Sequence, residues 1–332
     1  MIDFSKQLIS VAPEFAAGYM SADMSQLVDF NGTILGSARV VNQWAIRAGM
    51  VSDAMYQVEC IIDGFAYTGR TAGAAMLWRG KIVRDRKPSG FQLVARPDSN
   101  PKTAKGMTRG VMTFVMHFAP ADVSGFNVCP QSTPGCRAAC LNTAGRGRFD
   151  ATQSARIRKA QWYFNDRPAF MAALHDDIRK AVRYSGRRGF DCAVRLNGTS
   201  DIPWHRVPVA GAASIMDCYP EVQFYDYTKV SGRLLRHDLP RNYHLTFSLG
   251  EDNEIAAGAV LAIGGSVAMV VRTRAMVDRL LAFGSYVING TAYPVVDGDE
   301  TDLRYLDPAG SIVLLYAKGK AKTDRSGFVR DV

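Results

Sequence analysis

The stretch VMTFVMHF, residues 111–118, runs directly into APADVSGFNVCPQSTPGCRAACLNTAGRGRF, residues 119–149, and its reading decides the fold. Eight residues dominated by Val, Met and Phe, with no Gly or Pro among them, read as a buried β-strand. The chain then breaks at Pro120, Pro130 and Pro134 before two helical stretches at 151–165 and 166–185. Asp166 is placed to cap the second of these, and Pro168 falls in its first turn. Another apolar strand follows in FDCAVRLN from Phe190, and similar segments recur in VQFYDYTKV (222–230), YHLTFSLG (243–250), VAMVVRT (267–273) and SIVLLYAKG (311–319). DNEIAAGAVLAIGG (252–265) and RAMVDRLLAFG (274–284) are helix-compatible spacers. About six strands with crossovers between most of them predict an α/β fold, a mainly parallel sheet that is open or closed into a βα partial barrel. In either form reactive groups belong at the carboxyl ends of the strands.

Four unusual segments fall at those ends: the cysteine loop, NGTSD (197–201), YDYTK (225–229) and TFSLGED (246–252). Working back from the first strand, RPDSNPKTAKGMTRG (96–110) clusters Pro, Ser, Lys and Gly between apolar stretches and predicts a domain division, 1–105 and 106–332. In the first part, 33–50 suggests a helix, while YQVECII and FAYTGR, joined by Asp63-Gly64, suggest a strand pair. The expectation is a small α+β module, with Cys60 a buried structural thiol.

The 332-residue chain is 47% hydrophobic, ample for a large core. Its first residues show no charged segment followed by a long apolar run, and no window reaches the ~18–20 apolar residues that span a bilayer. A cytoplasmic protein with no membrane partner is expected. In that reducing setting the six cysteines do not read as a disulfide framework. The net charge of +9 is concentrated: between 141 and 190 stand eleven basic residues against four acidic ones. Such a segment favours polyanions, so nucleic acid or a nucleotide is the expected partner class, with a solvated basic helix as the plainer account. Arg146, Arg148, Arg156 and Lys159 are the candidate phosphate contacts, helped by the freedom of Gly145 and Gly147.

Cys129, Cys136 and Cys140 are spaced C-x6-C-x3-C. Three thiolates on one loop can hold a [4Fe–4S] cluster and leave one iron for another ligand. A zinc site completed by a histidine or a further cysteine competes, as do unligated thiols. His117, at the end of the first strand, and Cys218 are candidate fourth ligands, whereas Cys192 alternates into an apolar strand.

CPQSTPGCRAACLN, RLNGTSDIPW, VQFYDYTK, NYHLTFS and VVDGDETDLRYLDPAGSIVLLYAKGKA resemble segments of a family of uncharacterised bacteriophage proteins over roughly 110–330. A cysteine loop after the first strand of a βα partial barrel also resembles the radical S-adenosylmethionine superfamily, whose usual spacing is CxxxCxxC. That resemblance implies Cys129, Cys136 and Cys140 as cluster ligands and S-adenosylmethionine as a cosubstrate. It places Gly198, Thr199, Ser200 and Asp201 where the superfamily keeps a cofactor-binding motif. Asp201, Asp226 and Lys229 are the candidate catalytic residues, and the expected function is a radical-SAM-like enzyme acting on nucleic acid or nucleotides.

Two alternatives accompany it. VVDGDETDLRYLDP gathers Asp297, Asp299, Glu300, Asp302 and Asp307 ahead of Lys318, a pattern suited to Mg²⁺-dependent phosphodiester hydrolysis or simply to an acidic turn. The other is a non-enzymatic protein that binds nucleic acid or a host factor. Tyr225 and Tyr227 share a strand face with Lys229, and such a face can stack on bases or pack beneath helices.

Overall fold

A computed structural model describes residues 15–44, 55–62, 65–71, 77–82, 92–99 and 101–332. They form two compact units, Met1–Ser89 and Gly90–Val332.

In the first unit, β1 (Phe15–Met20), β2 (Gln26–Val28), β3 (Ile34–Trp44), β4 (Met55–Ile62), β5 (Phe65–Thr71) and β6 (Leu77–Ile82) pair in chain order, all antiparallel. β6 returns to pair with β1 and closes a small barrel. Met20, Leu27, Val58, Cys60 and Tyr67 fill it. Cys60 is fully buried, as its strand setting implied. The expected helix over 33–50 is corrected, because residues 34–44 are β3 and the rest lie outside the described residues. Ile34, Val40 and Val41 favour the extended chain, and the ladder from Ser37↔Ile61 to Trp44↔Met55 overrides any helical periodicity. Among the described residues this unit is therefore all β rather than α+β.

The second unit begins before the expected 105/106 division. Buried Asp177 Oδ2 accepts the backbone N–H groups of Gln92, Leu93 and Val94 at 2.8, 2.7 and 3.3 Å, and these residues lead into β7 (Val94–Ala95). After α1 (Pro101–Gly106) come β8 (Val111–Met116), α2 (Pro134–Ala138), α3 (Asp150–Asn165), α4 (Arg167–Gly186) and β9 (Asp191–Arg195). Next are β10 (Gln223–Thr228), α5 (Gly232–Leu235), β11 (Tyr243–Ser248), α6 (Glu254–Ala262), β12 (Ser266–Val271) and α7 (Arg274–Phe283). β13 (Ser285–Ile288), β14 (Thr291–Asp297), β15 (Ile312–Tyr316) and β16 (Val329–Arg330) complete it.

The sheet order is β13-β14-β15-β12-β11-β10-β9-β8-β7, with β16 beside β12. Every pair from β8 to β14 is parallel; only the edges β7 and β13 run antiparallel. This is a mixed α/β unit with a large, mostly parallel, open sheet. β8 to β12 lie side by side in chain order, with no reversal point. Alternation divides each strand. Phe114, Met116, Val194, Phe224, Phe247, Met269 and Leu314 join the main core with Phe170, Leu174 and Ile178 of α4. On the opposite face Val111, Ala193 and Tyr225 are covered by Leu303 and Tyr305. Asp166 caps α4 as expected, its carboxylate accepting Ala169 N–H at 3.2 Å.

Candidate functional site

The loop after β8 is pinned before its first cysteine. Phe118 inserts among Tyr163, Phe170 and Trp204, and Val128 both donates to Ala121 O (2.9 Å) and accepts from Asp201 N (2.7 Å). Cys129 Sγ accepts from Ala121 N at 3.4 Å and lies 3.8 Å from Thr199 O. Cys136 sits in α2, whose five residues are far too few to hold a helix alone. Thr133 caps it, accepting Cys136 N–H at 3.2 Å, while Glu251, just past β11, accepts the Thr133 hydroxyl and Gly135 N–H (2.8 Å). A Cβ at Gly135 would overlap both Ser326 Oγ and the Glu251 carboxylate. Ala139 packs with Ala317, Ala321 and Val329, and Cys140 follows. Glu251 belongs to a segment the sequence marks as unusual, but nothing in it points to α2; Ser326 carries no sequence signal at all.

None of the six cysteines is in a disulfide. Burial pushes the Cys129 thiol up to about 12, and negative charge on Asp201, Cys140 and Cys136 adds to this. Burial also raises Cys136, with Lys229 opposing and Cys140, Glu251 and Asp201 reinforcing; Cys140 is raised chiefly by burial, opposed by the Asn142 N–H and by Arg156. The three sulfurs thus converge to within electrostatic reach, in surroundings that disfavour negative charge. Bound metal would relieve that penalty, and thiolates are soft donors of the kind that zinc and iron–sulfur clusters take. Among the described residues, no three His, Cys, Asp or Glu side chains stand together in the arrangement of a metal site.

The NGTSD segment is occupied by its own contacts. Asn197 Oδ1 accepts from Ser200 Oγ (2.9 Å), Ile202 N (3.0 Å) and Trp204 Nε1 (3.0 Å), and Thr199 Oγ1 donates to Phe118 O at 2.6 Å. A Cβ on Gly198 would meet Met116 O at 2.6 Å and the His117 ring at 2.7 Å, so glycine is required by close approach. Asp201 pairs with Arg233 at 2.5 Å and accepts Lys229 N–H at 2.9 Å, which joins the ends of β9 and β10. Lys229 Nζ donates to Ser248 O and Leu249 O (3.2 and 3.4 Å) and lies 5.1 Å from the Phe328 ring.

Asp226 is on the helix-covered face with Phe224, accepting from Asn197 N (2.8 Å) and Tyr243 OH (3.2 Å). Desolvation raises its pKa from the ordinary 3.8 to about 7, against the opposing Arg195 charge and the hydrogen bonds it accepts. The unfolded chain releases this proton near pH 4 and the folded chain near 7, so between these values the native state binds more protons. Stability contributed by this group is then lost as pH rises through that window, by on the order of 1 kcal/mol per pH unit. An Asp226→Asn chain should lack that slope, and melting temperatures measured from pH 4 to 8 check it; an unchanged slope would reject the assignment.

Arg156 and Lys159 lie three residues apart on α3. Arg156 Nη1 donates to Asn142 Oδ1, two residues beyond Cys140, and Lys159 Nζ donates to Leu93 O at 3.1 Å. Arg148 is exposed, its guanidinium 5.9 Å from the Phe149 ring, and the Arg146 side chain lies outside the described residues. Other charges of the basic segment are already engaged: Arg179 and Lys180 pair with Asp176, and Arg188 lies 3.7 Å over Tyr184.

The acidic segment is laced with ion pairs. Asp297 meets Arg274 (2.7 Å), Asp299 meets Lys318 (2.7 Å), Glu300 meets Arg109 (2.7 Å), Asp302 meets Arg195 (2.6 Å) and Asp307 meets Arg304 (3.3 Å). Each carboxylate faces a different cation, and together they seal Leu303 and Tyr305 over the sheet. Tyr225 lies beneath them, its hydroxyl 3.1 Å from Thr113 Oγ1, so it is packed rather than presented to a base. Tyr227 instead stacks under Arg195, 5.0 Å from its guanidinium.

No helix among the described residues is long and apolar enough to cross a membrane. The family model described as Gene product 88 matches residues 92–332, nearly the whole second unit. No curated protein and no solved structure matches the chain.

Proposed function

We propose that this chain, which belongs to the Gene product 88 family, carries a [4Fe–4S] cluster on Cys129, Cys136 and Cys140 at the carboxyl rim of its parallel sheet. Membership accords with the resemblance to a bacteriophage family. The observation that supports the cluster is that three partly buried thiols, each raised in pKa, lie within electrostatic reach of one another on one loop braced by Glu251. When bound, such a cluster with three protein thiolates leaves an iron for a small-molecule ligand such as S-adenosylmethionine. Lys229, whose pKa burial lowers and the neighbouring Cys136 charge raises, sets a cation beside the thiolates. Asp201 positions the Lys229 backbone and is held by Arg233, which makes it a positioning residue rather than an acid catalyst. Asp226, which accepts Asn197 N–H and the Tyr243 hydroxyl, takes the same supporting role. Gly198, Thr199 and Ser200 shape the floor through backbone approach, since both hydroxyls are engaged.

The reading extends to a radical-SAM-like enzyme on nucleic acid or nucleotides, favoured by the sequential order of β8 to β12 and by the basic groups next to Cys140. The nuclease reading is disfavoured because Asp299, Glu300 and Lys318 are committed to ion pairs. Anaerobic purification with iron and sulfide analysis tests the proposal. The expected result is a brown protein with about four irons per chain; a colourless chain carrying one zinc would overturn it. Reductant-dependent cleavage of S-adenosylmethionine tests the extension.

A further inference from the structure

His117 stands one residue beyond β8, on the face of the sheet shared with Val115 and, through the register Val115↔Arg195, with Arg195 of β9. On its other side Val94 pairs with Met116, so Leu93 lies opposite His117, and it is the Leu93 carbonyl that holds Lys159 Nζ. Ala119 N–H donates to Arg156 O at 3.2 Å, which fixes α3 over the same strand end. Gly198 packs against the imidazole. Arg156, Lys159 and Arg195 all act on this ring, and burial followed by these three charges lowers its pKa to about 3. His117 makes no hydrogen bond among the described residues.

The charge balance here is lopsided. Arg195 is matched by Asp302. Arg156 and Lys159 meet no carboxylate among the described residues, and each donates to one neutral oxygen. Asp177, the acid acting on Lys159, already accepts three backbone N–H groups on Oδ2 and has Lys180 on Oδ1. Burial pulls the Lys159 ammonium down to about 8, with Arg156 adding to the effect. Partly buried cations without a counter-ion are costly and persist where an anion completes them.

We propose that Arg156, Lys159 and His117 form a pocket for a single phosphate group of a small phosphorylated ligand, with the Asp302-paired Arg195 as its wall. This rests on the Proposed function only for the reaction served, and it narrows the partner from polymer to mononucleotide-sized molecule. A polynucleotide tracks an exposed basic stripe, whereas these groups are only partly exposed at the end of β8.

The full chain, reduced and free of metal, is titrated with inorganic pyrophosphate at constant ionic strength while its melting temperature and calorimetric heat are followed, with chloride as control. The expected result is a saturable rise that chloride does not give. Lys159→Gln and Arg156→Gln should each weaken pyrophosphate at least ~10-fold. Lys159→Met should melt no lower than the parent without ligand, because it removes an uncompensated cation. No saturable rise, or affinity untouched by both glutamine variants, would overturn the pocket, as would Lys159→Met melting well below the parent. Since no metal is present, failure here leaves the cluster reading standing, and failure to load iron leaves the pocket standing.

Discussion

A Cys136→Ala chain purified anaerobically is expected to lose the broad absorbance near about 400 nm and essentially all bound iron and sulfide. Cys136 is the middle of the three proposed ligands and the only one carried by α2. A cluster left with Cys129 and Cys140 has two protein corners, too few to resist loss. Its fold should survive, because Cys136 is partly buried and the brace on α2 runs through Thr133, Gly135 and Glu251. Circular dichroism and melting temperature should therefore stay close to those of the metal-free parent. Iron retained at the parental level would remove Cys136 from the ligand set, and the proposal with it.

The second large effect is on stability. Asp201 and Arg233 form an ion pair with side chains only 10% and 9% exposed. Deleting one partner of such a pair leaves the other buried and uncompensated, which costs about 3–5 kcal/mol. Asp201→Ala should accordingly lower the melting temperature by roughly 10 °C for a unit of this size. The exposed Arg206–Asp238 pair supplies the contrast, since Asp238→Ala should leave the melting temperature close to that of the parent. Equal, small shifts for the two variants would show that Asp201 is no brace and would return it to the list of reactive groups.

Much of the second unit could be read directly because its elements announce themselves. Val111–Met116 is apolar on both faces, and Asp166-Arg167-Pro168 starts α4 where capping chemistry requires. β13 and β14 were missed although their signal is present: Asn289-Gly290, with φ of 49° and 77°, makes a tight hairpin turn between Ile288 and Thr291. The misread helix at 33–50 has a different origin, since only the ladder to β4 decides its conformation. In the site, the cysteines stand out by clustering, and their supports do not. Glu251, Arg233 and Ser326 become neighbours of the loop only after the strands align. The acidic run 297–307 illustrates the converse, in which a conspicuous pattern is absorbed by partners as distant as Arg109 and Arg195.

The brace on α2 also bears on transplantation. The three cysteines fit in a short peptide, but the groups that shape their loop arrive from the end of β11 and from the segment leading into β16. Grafted into another scaffold, residues 126–149 would carry the cysteines without the mould. The thiol loop of this chain is accordingly a property of the assembled sheet, and it can be moved only together with β11 and the segment before β16.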